Sequence, residues 1–270
     1  MVNVLTTTVG AFRRLFNLLK ALASLLFLAI WLTIRDLYYV FANLSLPPRK
    51  VGSVVPSGQP GHGGVWPPFQ APVQATDSRS PCPALNALAN HDILPRSGKH
   101  ISYKQMSHAI QHAYNLAPSL ADQLTSSAYQ LDQGRGWIDL QDLSALNVIQ
   151  HDASFTLDRF LSHASNGKSL SLDDIVYFSG LRRAECKRTN GQYSMTWSCL
   201  HQFFGSGNNA LMHSIFGGDV EDLRVWLSEE RFPDKWEPRN REARGHTIMQ
   251  AMSKTLIIEL NINEKAEAPV

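Results

Sequence analysis

The residue best placed for chemistry in this chain of 270 residues is Cys82, which stands between two prolines. Pro81 disfavours a helix before the cysteine, and Pro83 suits the first position of a helix that begins after it. Cys82 is therefore predicted at a helix N-terminus, where free amide N–H groups and the helix dipole lower the pKa of a thiol. Such a thiolate could be a nucleophile, a metal ligand or an axial haem ligand. A buried cysteine that only caps the helix is the alternative without chemistry.

A second polar cluster, residues 150–154, reads Gln-His-Asp-Ala-Ser. The carboxylate of Asp152 beside His151 would fix the tautomer of the imidazole and favour its charged form, which suits acid–base work. Taken alone, the pair carries little information, because most adjacent His and Asp residues lie on solvated surfaces.

The segment 80–96, SPCPALNALANHDILPR, resembles the signature of the fungal haem-thiolate peroxidases, the family of chloroperoxidase and the unspecific peroxygenases. The block at 149–156 is similar to the Glu-His-Asp segment of that family, and 232–236 is a third, weaker match. The resemblance implies haem b with the Cys82 thiolate as its axial ligand. It also implies an enzyme that uses hydrogen peroxide to oxidise or oxygenate a small apolar organic substrate, in fungal secondary metabolism.

The resemblance further implies how the opposite face of the haem is built. His151, supported by Asp152, takes the place of the family's distal histidine, and the positions of Gln150, His151 and Ser154 are those that hold a Mg or Mn ion. Gln150 replaces the family's glutamate and brings no charge, so we expect that ion to be weakly held or absent. Asn208 falls at the position of the catalytic glutamate, and an asparagine cannot shuttle a proton.

Two substitutes for that glutamate are open. His151 could act alone, or Glu185 could reach the site; otherwise Glu185 is expected to be a helix-end carboxylate paired with an arginine. If neither acts, the chain is a haem-binding relative without peroxide turnover, either an accessory protein or an enzyme of redox-neutral chemistry.

The elements that position these residues are predicted to be helices. Apolar residues recur at helical spacing along the chain from Cys82, with Ser102 as an N-cap, and strand alternation is nearly absent. We expect residues 75–260 to form an all-α domain of many short helices around a haem, followed by a tail at 261–270. The predicted helices span 102–116, 119–131, 137–150, 156–162, 171–183, 194–204, 209–216 and 220–228.

The N-terminal part predicts a membrane anchor. After a cytoplasmic segment, 1–14, residues 15–42 are strongly apolar and long enough to span a bilayer if Lys20 snorkels. The basic residues at 13, 14 and 20 favour a single pass with the domain in the lumen or outside the cell. A cleaved signal peptide and a soluble amphipathic helix are the alternatives.

Between anchor and domain, residues 43–74 are rich in proline and glycine and predict a linker. Its first part is expected to be a semi-extended tether, whereas the aromatic residues Trp66 and Phe69 in its later part could dock on the domain.

Composition limits the remaining function classes. Hydrophobic residues make up 44% of the chain and charged residues 18%, which excludes wholesale disorder. The net charge of +2 and the absence of long basic clusters argue against a nucleic-acid partner. Three cysteines exclude both a disulfide-dense scaffold and a four-cysteine zinc site.

Overall fold

The structure, a computed structural model, describes residues 20, 30–144, 161–162, 164–189 and 195–264. Within these ranges the fold is helical, as predicted, and a single two-residue β-ladder accompanies the helices. The helices are α1 (30–45), α2 (Pro83–Asn90), α3 (Tyr103–Tyr114), α4 (Pro118–Ser126), α5 (Leu172–Thr189), α6 (Met195–Phe216), α7 (Val220–Ser228) and α8 (Ile248–Asn261). Short 3-10 turns occur at His62–Gly64, Ser127–Leu131 and Leu140–Ser144.

Local sequence signals explain several helix starts. Ser102 caps α3 as predicted, in a capping box with Gln105, and Thr247 caps α8 in the same way with Gln250. Asp219 caps α7 by accepting the N–H of Asp222. These caps satisfy amide groups that the first turn of a helix leaves without partners.

Several predicted helix boundaries were wrong, and the helix predicted at 171–183 extends to Thr189. The stretch predicted as a helix from residue 137 begins with strand β2 (Trp137–Ile138), which pairs antiparallel with β1 (Ile101–Ser102) and is followed by a 3-10 turn. The predicted break between 204 and 209 is absent, because α6 is continuous from Met195 to Phe216.

Half of the segment predicted as a membrane anchor, residues 15–19 and 21–29, lies outside the described residues. Among the helices that the structure describes, none has the length and apolarity needed to cross a membrane. From residue 35 on, the predicted span contacts the helical domain: Arg35 pairs with Asp122 at 2.6 Å, and the buried Asp36 accepts the N–H groups of Ile248 and Met249. Helix α1 is therefore seated on the N-terminus of α8.

The proline-rich stretch 43–74 also packs against the domain, in its first part, which was predicted as a tether, as well as at Trp66, for which docking was predicted. Val54 and Val55 are buried, and the carboxylate of Glu237 accepts the N–H groups of Gly52 at 2.6 Å and Val54 at 3.2 Å. Trp66 donates its indole N–H to the carbonyl of Trp236 at 2.9 Å. Prolines from Pro47 on are incompatible with a long α-helix, but they do not prevent the backbone from binding the domain.

Gly98, in the turn that follows α2, tests a close backbone approach between this turn and Ser78. At φ +67° it occupies the left-handed region, and a Cβ there would lie 2.0 Å from the carbonyl oxygen of Ser78. Gly134 has φ +82° and open space around it, so it isolates backbone strain from steric overlap. We expect Gly98→Ala to lower the free energy of unfolding by about 2–3 kcal/mol and Gly134→Ala by about 1 kcal/mol. Equal costs in urea unfolding would contradict the close approach.

The pairing of α6 with α8 predicts a pH dependence. The Nδ1 atom of His213 lies 3.3 Å from Nζ of Lys254. Burial, and then the Lys254 charge, lower the pKa of His213 to about 4. An unfolded histidine binds a proton near pH 6.5 (about the model-peptide value), so the native state binds fewer protons between about pH 6.5 and 4 and loses stability as the pH falls.

We therefore expect the free energy of unfolding to drop by about 1 kcal/mol from pH 7 to pH 5, a figure reduced for the partial exposure of the imidazole. In His213→Gln this drop should largely disappear, as measured by urea unfolding at both pH values. An undiminished pH dependence in the variant would show that other groups cause it.

Candidate functional site

Cys82 lies at the N-terminus of α2, as its flanking prolines predict. It is the N-cap residue, with extended backbone angles, and Pro83 is the first residue of the helix. Its carbonyl accepts the N–H of Asn86 at 3.1 Å. The N–H groups of Leu85 and Ala84 face the sulfur without the alignment of capping hydrogen bonds. The half-buried thiol is free of a disulfide.

The charge state of this thiol differs from the sequence prediction. Burial raises the pKa of Cys82; the Leu85 and Ala84 amides lower it by less, and the carboxylate of Glu230 adds to the rise. The predicted lowering of the pKa was therefore wrong for the sulfur without a ligand, because desolvation outweighs the helix amides. A positive metal centre would reverse the balance, since ligation replaces the proton.

A hydrogen-bond network fixes the turn that carries Cys82. The N–H of Cys82 donates to Oγ of Ser80 at 3.2 Å, and this hydroxyl donates to Oδ1 of Asn86 at 3.1 Å. The amide of Asn86 donates to the Ser80 carbonyl at 2.7 Å and to the Glu230 carboxylate at 2.7 Å. Asn86 thereby holds the Glu230 carboxylate close to the thiol, although Glu230 lies 144 positions from Asn86 in the sequence.

Sequence reasoning missed Asn86 and Glu230. One signal was present: Asn86 and Asn90 lie four residues apart in the otherwise apolar sequence ALNALAN, and both are fully buried. Buried amides require partners, and Asn90 donates to the carbonyl of Glu230 at 3.0 Å. Glu230 itself could not be found from the sequence.

Tyr114 supports the same turn from the core. Its hydroxyl donates to the carbonyl of Ala84 at 2.8 Å and accepts the indole N–H of Trp226 at 3.3 Å. Burial raises the pKa of Tyr114 well above its usual value, so the hydroxyl remains a donor. The first turn of α2 is thus fixed on both sides.

His91 is the C-cap residue at the other end of α2. Its Nδ1 lies 2.5 Å from the carbonyl of Pro67, and its Nε2 accepts the N–H of Phe232 at 3.1 Å. Since a carbonyl only accepts, the proton lies on Nδ1 and the ring is neutral. Burial lowers the pKa of His91 and keeps it so. This histidine joins three segments and is structural.

The structure leaves most of the predicted distal residues untested. Gln150, His151, Asp152 and Ser154 lie outside the described residues. Asn208 is exposed on α6. Glu185 is half-buried on α5 and forms an ion pair with Arg182, and neither Asn208 nor Glu185 takes part in the described interactions of Cys82.

No metal centre forms among the parts of the chain that the structure describes, where no three His, Cys, Asp or Glu side chains converge. The Mg or Mn site predicted at Gln150, His151 and Ser154 remains a prediction, since those residues are not described.

Comparison with known proteins agrees with the cysteine motif. The profile of the family described as "Peroxidase, family 2" matches residues 67–158 and 156–241. The chain is 32% identical over 121 residues to chloroperoxidase from Leptoxyphium fumago, covering 40% of this chain and 32% of that protein. It is 44% identical over 57 residues to the dothistromin biosynthesis peroxidase of Dothistroma septosporum, covering 21% of this chain and 13% of that protein.

The matched part of the chain thus spans about a third or less of the length of these relatives. The family match contains Cys82, its network with Asn86 and Glu230, and the block at 150–154, and it covers well over half of the chain. The chain therefore belongs to peroxidase family 2, the fungal chloroperoxidase-like peroxidases that its proline-flanked cysteine indicated.

Proposed function

We propose that the chain is a haem-thiolate peroxidase that uses hydrogen peroxide to oxidise or oxygenate a small apolar organic molecule. The observation that supports this best is the placement of Cys82. Its half-buried thiol lies at a helix N-terminus inside the family match, with two backbone N–H groups facing the sulfur.

The surroundings of Cys82 fit haem iron as the partner of the sulfur. The amides of Leu85 and Ala84 favour negative charge on sulfur, whereas burial and the Glu230 carboxylate disfavour a bare thiolate. A bound metal cation would allow the sulfur to be negatively charged, as the amides favour, and would neutralise the charge that burial penalises. Haem b held there would supply the oxidising chemistry, since an electron-rich thiolate ligand favours cleavage of the O–O bond of peroxide.

The other roles follow from the sequence positions. His151, supported by Asp152, is proposed to take up and return the peroxide proton. Gln150, His151 and Ser154 would hold a Mg or Mn ion weakly. Because one relative is named for dothistromin biosynthesis, a secondary metabolite is the proposed type of substrate.

The test is the carbon-monoxide difference spectrum of the reduced full chain, loaded with haem, beside Cys82→Ala. Wild type should show the strongly red-shifted Soret band of thiolate ligation, and the variant should lose it. Cys186→Ala, which removes a buried cysteine on α5, is the matched control and should keep the band. A band typical of a nitrogen ligand that survives Cys82→Ala would overturn the assignment.

A haem-binding protein without peroxide turnover is the second candidate. Its support is that Gln150 and Asn208 stand where the family has acids, that Asn208 is exposed, and that Glu185 is engaged with Arg182. His151→Ala separates the two. Loss of peroxide turnover with the Soret band intact supports the peroxidase, whereas tight haem binding without any peroxide reaction in wild type supports the alternative.

We also propose that the apolar residues 15–34 associate the protein with a membrane, with the domain on the lumenal or extracellular side. The apolar length of this segment and the basic residues around it support the proposal. A membrane location suits an apolar substrate, which partitions into lipid.

A further inference from the structure

Helix α1 carries an apolar stripe that faces away from the domain. Trp31, Ile34, Tyr38 and Phe41 follow helical three- and four-residue spacing and are 47%, 64%, 63% and 63% exposed. Asp36, buried against α8, lies on the opposite side of the helix. The stripe is therefore the outer surface of a helix whose inner surface is already bound.

Helix α8 carries a second stripe of the same kind. Met252, Leu256 and Leu260 are 40%, 48% and 82% exposed, whereas Thr255 and Ile258 on the inner side are buried. The stripe starts beside α1, because the N–H of Met249 in the first turn of α8 donates to Asp36 at 2.8 Å. More than half of the exposed large apolar side chains in the described ranges belong to these two helices.

The outer faces of both helices carry little free charge: the guanidinium of Arg35 lies over the ring of Trp31 at 5.2 Å, but it also pairs with Asp122. Described α1 and α8 contain four charged residues, and each binds a partner in the domain. The pairs are Arg35 with Asp122, Asp36 with the first amides of α8, Lys254 with Ser214, and Glu259 with Arg183. A solvated surface helix normally has charged residues on its outer face, so this pattern indicates an apolar surrounding.

A lipid bilayer fits this surface better than a protein does. The apolar residues 15–29 directly precede α1 in the sequence, so a segment suited to lipid lies next to the stripe along the chain. Trp31 and Tyr38 are of the type enriched at the membrane–water boundary. A protein interface ordinarily has a polar rim, whereas a face embedded among acyl chains gains from having none.

We propose that the outer faces of α1 and α8 form one membrane-contacting surface, which seats the domain on the bilayer. The inference rests on the membrane association proposed for residues 15–34 and extends it to a helix more than 200 residues later in the sequence. The domain would then be held in one orientation relative to the lipid from which an apolar substrate comes.

Hydroxyl-radical footprinting of the full chain tests this surface. The chain is reconstituted at less than one copy per vesicle into phosphatidylcholine–phosphatidylglycerol vesicles and compared with the chain in solution. Labelling of Tyr38, Met252 and Leu256 should fall by about fivefold or more, as expected for side chains buried at the acyl boundary. Tyr129 and Tyr177, which are 54% and 40% exposed elsewhere, should be labelled at unchanged rates.

A matched pair of variants completes the test. Leu256→Ser with Leu260→Ser should restore labelling of Met252 in vesicles, whereas Val65→Ser with Val73→Ser, two exposed valines outside the surface, should not. If Tyr38, Met252 and Leu256 are labelled as fast in vesicles as in solution, the proposal is overturned. Protection that appears without lipid and increases with protein concentration would also overturn it, and would indicate a second copy of the chain.

The carbon-monoxide spectrum recorded on the same samples keeps the two proposals separate. Protection without a thiolate Soret band would reject the peroxidase and retain the membrane surface. A thiolate Soret band without protection would retain the peroxidase and reject the membrane surface.

Discussion

Replacing Asp36 with alanine should lower the free energy of unfolding by about 3–4 kcal/mol, because it removes one carboxylate that serves three donors. Asp36 is 3% exposed and accepts the N–H groups of Ile248 at 2.9 Å and Met249 at 2.8 Å, together with the hydroxyl of Ser119. The alanine variant leaves the buried Ser119 hydroxyl and two partly buried N–H groups without this acceptor, and it also removes a negative charge from the N-terminus of α8.

Urea unfolding of the full chain, followed by circular dichroism in one buffer, measures this cost. Asp219→Ala is the matched control, since Asp219 caps α7 with a single bond to the N–H of Asp222 at 2.9 Å, and it should cost about 1 kcal/mol. Asp36→Asn, which keeps an acceptor without the charge, should fall between them. If Asp36→Ala costs no more than the control, α1 is not seated on α8 as described.

The importance of Asp36 could not be predicted from the sequence. An apolar stretch interrupted by Arg35 and Asp36 is compatible with a membrane span, a signal peptide or a packed helix. What distinguishes them here is a contact with residues more than 200 positions away. The sequence showed that this helix is apolar, but the partner of its single acid belongs to the tertiary structure.

The Cys82 site, too, could be predicted from the sequence only in part. Pro81 and Pro83 flank Cys82, so local backbone preferences alone were enough to place the cysteine at the start of α2. The direction of its pKa was mispredicted, since desolvation and the Glu230 carboxylate depend on packing that no local pattern encodes. Asn86 could be singled out as a polar residue on an apolar helix, but its partner Glu230 could not.

The second large effect is expected at Phe232, which lies in the third motif that the sequence singled out. Phe232 is 2% exposed and stacks on Trp66 with ring centroids 3.8 Å apart, and its N–H is bound to His91. It thus joins the proline-rich stretch to the end of α2. We expect Phe232→Ala to lower the free energy of unfolding by about 3–5 kcal/mol through the cavity it leaves.

A variant of the neighbouring Phe69 distinguishes the cost of a cavity from the cost of losing an aromatic contact. Phe69 also contacts His91, with ring centroids 5.7 Å apart, but it is 38% exposed, so Phe69→Ala should cost less than about 1 kcal/mol. Phe232→Leu, which keeps most of the volume, should cost about 1–2 kcal/mol. In urea unfolding, similar costs for the two alanine variants would contradict the packing of the proline-rich stretch on the domain. If Phe232→Ala also weakens the thiolate Soret band, the proline-rich stretch helps to hold the helix that presents Cys82.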